Sequence, residues 1–203
     1  SGVLLQAARG ETDPVRGAAL DALRKLAAPE TLIPLFDIAL AAGTEEGVSA
    51  VYPALQAICR TSPDKAETSR RVMKALARFP ASLRRSTLML LAELGTADAL
   101  AVAKALTRDP DPELAKEAVR VLTQWPSAAP AAHLLEIGRG EGDPGLKTLA
   151  LRGAIEVAGL EPGLGPRLVI LRDALKIASR AEERKLVLAQ VGQMPTAEAL
   201  EVA

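Results

Sequence analysis

The chain has 203 residues, and its 25 basic and 25 acidic side chains give a formal net charge of zero. That balance removes the long-range attraction that binders of nucleic acid or anionic membranes use. Aromatics make up 2% (Phe36, Phe79, Tyr52 and Trp125), too few for the stacking platforms of single-stranded nucleic-acid binding, and no apolar run approaches the roughly 20 residues of a transmembrane helix.

In chain order, apolar residues recur with helical period over a partial segment at 3–9, then over 15–26, 29–42, 47–58, 64–79, 83–94, 97–108, 114–125, 128–139, 146–157, 164–179, 183–194 and 196–203. Punctuation falls where helices should start. Asp13, Asp111 and Asp143 each precede a proline, predicting a capping Asp before Pro at the first helical position. Thr96 and Thr196 are suited to cap the helices after them, and Gly43, Gly95 and Gly159 fall where a left-handed residue ends a helix. Pro53, inside 47–58, predicts a kink. The stretch 160–166, rich in Pro and Gly, reads as the longest loop and a flexible joint. No alternating run bounded by hairpin turns appears, so the fold is all-α.

Six of these segments are copies of one pattern: 15–26, 47–58, 83–94, 114–125, 146–157 and 183–194. Their ninth places are Leu23, Leu55, Leu91, Leu122, Ala154 and Val191, spaced 32, 36, 31, 32 and 37 residues apart. Such a near-fixed period predicts stacked helical hairpins, none able to bury its apolar face alone. The expected fold is a right-handed α-α superhelix, an α-solenoid of about six hairpins, forming one array over 1–203. Leu4, Leu5, Leu200 and Val202 do not look like the polar caps of a finished solenoid, which predicts a fragment of a longer protein.

The period also suits ankyrin and tetratricopeptide repeats, but their Thr-Pro-Leu-His and Trp/Gly/Tyr/Pro signatures are absent. What recurs at Asp13, Asp111 and Asp143 is Asp-Pro, at most one further residue, then Leu or Val, Ala four places on, and Leu or Ala four places after that. The copy at 107–122 closely resembles a bacterial HEAT repeat, and that at 12–23 resembles the same consensus. The likeness extends over nearly the whole chain, weakly in the second and sixth copies. It implies architecture, and almost nothing of function. It also implies a ladder of basic residues opening the second helix of each hairpin, here Arg16, Arg84, Lys147 and Arg184, each paired with an Asp of a neighbouring turn. Val48 and Ala115 break that row.

Chemistry has little to work with. His133 is the sole histidine, and with Glu136 makes at most half a metal site, so a helical histidine without ligand role is expected. Cys59 excludes an intramolecular disulfide; although Arg60 beside it could lower its pKa, it reads as a packing residue. The glycine-rich 138–142 follows a helix and lacks the Lys-Ser/Thr ending of a phosphate loop, so it reads as a turn. The chain is therefore expected to be no enzyme and to use no metal or cofactor.

In such an array the second helices line the concave face. Their outward rows are Asp21, Pro53, Met89, Arg120, Arg152 and Ala189; Gly17, Ser49, Arg85, Lys116, Thr148 and Lys185; and Lys25, Ala57, Glu93, Gln124, Glu156 and Gln193. Arg85, Lys116, Arg120 and Arg152 are thus the candidate partner-binding residues. The expected function is a scaffold holding a protein or peptide on this face. The alternative is a nucleic-acid binder resembling the HEAT-like DNA glycosylases. Neutral charge counts against it, as does Trp125, which aligns with the core positions Leu26 and Leu94. Resemblance to HEAT-like bilin lyases rests on fold alone.

Overall fold

A computed structural model of the chain describes residues 1–10 and 12–194, with the side chain of Ser82 also left undescribed. The segment expected at 196–203, with its Thr196 cap, lies outside these residues, as do Leu200 and Val202. Among the described residues the regular structure is all helical. Helices α1 (Gly2–Gly10) and α2 (Asp13–Leu26) are followed by a 3-10 turn (Pro29–Thr31) leading into α3 (Leu32–Ala42). Then come α4 (Glu45–Thr61), α5 (Lys65–Leu76), α6 (Ala81–Arg85), α7 (Met89–Leu94) and α8 (Ala97–Leu106). The remainder are α9 (Pro112–Thr123), α10 (Ala131–Arg139), α11 (Pro144–Ala158), α12 (Leu164–Ile177) and α13 (Ala181–Val191).

Side-chain caps start several of these helices. Asp111 Oδ1 accepts the Glu113 and Leu114 N–H groups at 3.0 and 3.4 Å, Asp143 Oδ2 accepts that of Leu146 at 2.8 Å, and Thr96 Oγ1 accepts that of Ala99 at 3.3 Å. Asp13 departs from expectation. Thr12 occupies the N-cap position of α2 without a side-chain cap hydrogen bond, and the Asp13 carboxylate inside the first turn holds Arg16 at 2.8 Å. At the other ends, Gly43 and Gly95 adopt the left-handed conformation, with φ of 64° and 65°. Gly159 does not: at φ −60° it stays right-handed. Instead Ala27 takes up a left-handed C-cap, φ 45°, where glycine would be at ease.

At 83–94 the structure differs from the sequence expectation. The helix expected over 83–94 breaks into α6 and α7, because the Thr87 hydroxyl donates to the Arg84 carbonyl at 2.9 Å while the backbone tightens into three-residue bonds such as Thr87 N–H to Arg84 O at 3.0 Å. Helix α4, by contrast, runs through Pro53 from Glu45 to Thr61. Pro53 removes the amide that the Ser49 carbonyl would have bonded, and it lies exposed on the solvent side.

The chain divides into two compact units, Ser1–Val102 and Ala103–Ala203. In the first, α1, α3 and α5 pack in one row and α2, α4 and the α6–α7 pair in another. In the second, α9, α11 and α13 form one row, with α10 and α12 packed against them. Helices alternate between the rows in both units, as expected of successive hairpins. The ninth-place residues Leu23, Leu55, Leu91, Leu122 and Ala154 are 0% exposed and Val191 3%. Burial on that scale supplies about 1.5–3 kcal/mol for each large apolar side chain. Phe36 and Phe79 meet edge to face in the first unit, ring centroids 5.8 Å apart.

Candidate functional site

The rows expected to face outward do so. None of their described positions is buried: Asp21, Pro53, Arg120, Arg152, Lys185 and Ala189 are exposed, while Met89, Arg85, Lys116 and Thr148 are half-buried. Helical geometry explains this: the outward rows lie two or six places from the buried ninth position, which at 3.6 residues per turn points them away from its face.

Within the second unit, Lys116 and Arg120 sit on α9 and Arg152 on α11, and these helices pack directly on each other. Gly153 permits the approach: a Cβ there would fall 2.2 Å from the Thr123 methyl carbon. Thr123 is itself anchored, its hydroxyl donating to the Arg120 carbonyl at 2.8 Å. So α9 and α11 approach tightly beside the pair Arg120 and Arg152. Arg120 Nη1 is 3.0 Å from Glu117 Oε2. Arg152 and Lys116 make no ion pair among the described residues. Arg85 belongs to the first unit, where it lies 3.4 Å from Glu45. The structure thus joins three of the four candidates on two packed helices and places the fourth in the other unit, paired.

The other outward charges of the first unit are largely used internally. Glu93 accepts Gln56 Nε2 at 2.6 Å and Arg60 Nη2 at 3.0 Å, and the Arg60 hydrogen bond holds its carboxyl below the ordinary range. Lys65, which the sequence did not single out, donates to the carbonyls of Cys59, of Arg60 at 2.9 Å and of Glu93 at 3.3 Å. One ammonium thereby serves the C-terminal carbonyls of both α4 and α7, where the helix dipoles favour a cation.

Two members of the expected basic ladder, Arg84 and Arg184, hold backbone carbonyls in place of the expected Asp. Arg84 Nη2 donates to the Phe79 carbonyl at 3.0 Å and Arg184 Nε to that of Ala178 at 3.1 Å. Both acceptors follow the end of the preceding helix, where carbonyls have lost their intrahelical donors. Arg16 meets an Asp, but one of its own helix.

His133 is buried, its Nε2 lying 2.9 Å from the Thr107 hydroxyl. That hydroxyl donates to the Lys104 carbonyl at 2.7 Å, so its oxygen is left to accept from Nε2–H, which sets the tautomer. Burial pushes the imidazole pKa below its ordinary value; Glu136, 3.6 Å from Nδ1, opposes this, while Lys104 and Arg108 add to it. The Cys59 thiol is fully buried and pushed up to about 12 by burial, with Lys65 rather than Arg60 as the opposing cation.

A hollow of about 280 Å³ beside the 138–142 turn is lined by Lys147, Arg180 and Glu183. Its anion is the protein's own: buried Glu183 accepts the Ser179 and Arg180 amides at 3.2 Å each, at the start of α13. A larger groove of about 600 Å³ in the first unit runs between Arg9, Leu20, Ile38 and Glu46. No cluster of three or more His, Cys, Asp or Glu suited to a metal occurs among the described residues, and no described helix is long and apolar enough to cross a membrane. No known family model matches the chain, and no curated protein matches it in sequence.

Proposed function

We propose that the chain is an α-solenoid of HEAT-like hairpins that acts as a non-catalytic interaction scaffold, holding a protein or peptide partner on the concave face made by its second helices. The observation that carries this reading is the contrast between the two sides of those helices. The ninth places are buried without exception, while the outward rows stay open and, at Lys116 and Arg152, hold cations with no internal ion-pair partner. Repeats commit most positions to stacking, and what is left over is a surface rather than a catalytic pocket. The groups with most chemical potential are committed as well: His133 to Thr107, and Cys59 to the core.

A nucleic-acid binder or a relative of the HEAT-like glycosylases would need an exposed aromatic and a surplus of cations. Trp125 is only 2% exposed, and Phe36 and Phe79 are buried too. The deciding experiment measures duplex-DNA affinity at low and moderate salt for the wild type and for an Arg120→Glu, Arg152→Glu pair. The scaffold reading expects weak binding that the reversal leaves nearly unchanged. Salt-sensitive affinity abolished by the reversal would overturn it.

A further inference from the structure

The cations of the second unit have a spacing as well as a sign. Arg120 and Arg152 occupy equivalent, exposed places on α9 and α11, and these helices approach tightly at the neighbouring Thr123 and Gly153. Helices packed in this way have axes about 8–10 Å apart. A polyproline-II segment has three residues per turn and rises about 3.1 Å per residue, so every third side chain points the same way, about 9 Å further on. The step between the two arginines therefore matches three residues of extended chain. Lys116 lies four residues before Arg120 on α9, and Lys185 holds the corresponding place on α13.

Resting on the scaffold reading, we propose that this face binds an extended acidic peptide segment running across α9, α11 and α13, with carboxylates three residues apart on Arg120 and Arg152. Arg152 and Lys116 are the charges that such a segment would complete, having no ion-pair partner among the described residues. Arg120 serves both its own Glu117 and a guest, because Glu117 engages Nη1 and a guanidinium has five N–H donors. Glu156, four residues beyond Arg152, borders the patch and repels acidic residues toward its Lys116 side. Acidic segments suit the geometry because self-repulsion already holds them extended. The buried aromatics leave a nucleic acid without stacking surfaces there.

The test uses fluorescence anisotropy on the full chain with three labelled probes: a 12-residue peptide with Glu at every third position, a peptide of identical composition with its Glu residues adjacent, and a short DNA duplex. The expected result is tightest binding of the period-three peptide, weakened about tenfold or more by Arg152→Glu and further by the Arg120→Glu, Arg152→Glu pair, but unmoved by Lys25→Glu on α2. Circular dichroism establishes that each variant folds, and a period-three Lys peptide should gain affinity for the doubly reversed protein. Equal binding of the two acidic peptides, no binding of either, or indifference to the reversals would overturn the proposal. If the acidic peptides fail while a protein partner crosslinks to α9 and α11, the segment chemistry falls and the scaffold stands. Tighter, reversal-sensitive binding of the duplex would sink both.

Discussion

Cys59 and His133 show how burial disarms residues that sequence flags for chemistry. With the Cys59 pKa pushed up to about 12, almost no thiolate exists at neutral pH, and reagents cannot reach it. Iodoacetamide at pH 8 should label it only at the rate at which α4 opens, and immediately in urea; comparable native and unfolded rates would contradict the burial. For His133 the folded pKa lies below the unfolded value near 6.5. The unfolded chain then binds the extra proton first as pH falls, so this contribution to stability is complete above about 6.5 and is lost on acidification toward the folded value. In a His133→Gln variant, whose amide can still donate to Thr107, urea unfolding should lose less stability than the wild type between about pH 7.5 and 5. Parallel losses would mean that His133 titrates alike in both states. Neither burial was fully legible in the sequence: a lone His or Cys on a helix signals packing, but Thr107 beside His133 and Glu93 near Cys59 come from distant parts of the chain.

At the scale of the element, caps and periodicity carried most of the information, and the exceptions have local causes. Asp111 and Asp143 cap as their Asp-Pro pairs indicate, whereas Asp13 is drawn to Arg16. Ala27 holds a left-handed φ of 45° that costs a residue with a Cβ about 1–2 kcal/mol. Ala27→Gly should therefore raise stability by about 0.5–1 kcal/mol, measured by urea unfolding; a loss would show that the unfolded-chain entropy of glycine outweighs the relief. The split of 83–94 into α6 and α7 depends on where the Thr87 hydroxyl bonds, which apolar spacing does not encode. Gly153 is a packing residue for α9 against α11. Gly153→Ala should cost about 1–3 kcal/mol despite alanine's better helix propensity, since the added methyl meets Thr123. A Gly153→Ala, Thr123→Ser double variant should recover part of that loss, and a stabilised single variant would rule out the close approach.

For the whole molecule, the recurring hairpin predicts a distributed core rather than a single centre. If each hairpin packs only on its neighbours, Leu122→Ala should cost about 2–5 kcal/mol and its effect should stay local. Hydrogen exchange should then quicken in α9 to α11 while α2 to α4 keep their protection; uniform loss across both units would mean one cooperative block.

The period of the ninth places, read from sequence alone, determined the helix order, the all-α class and which six residues are buried, because apolar burial imposes a spacing that survives substitution. The outward rows followed from the same helical arithmetic. Only the tertiary structure decided how the charges on those rows are spent. Glu93 is held by Arg60 and Gln56, Arg85 by Glu45 and Arg120 by Glu117, while Arg152 and Lys116 have no ion-pair partner among the described residues. The reason is physical: burial is set by a residue's own helix face, but an ion pair depends on which distant turn is folded against it.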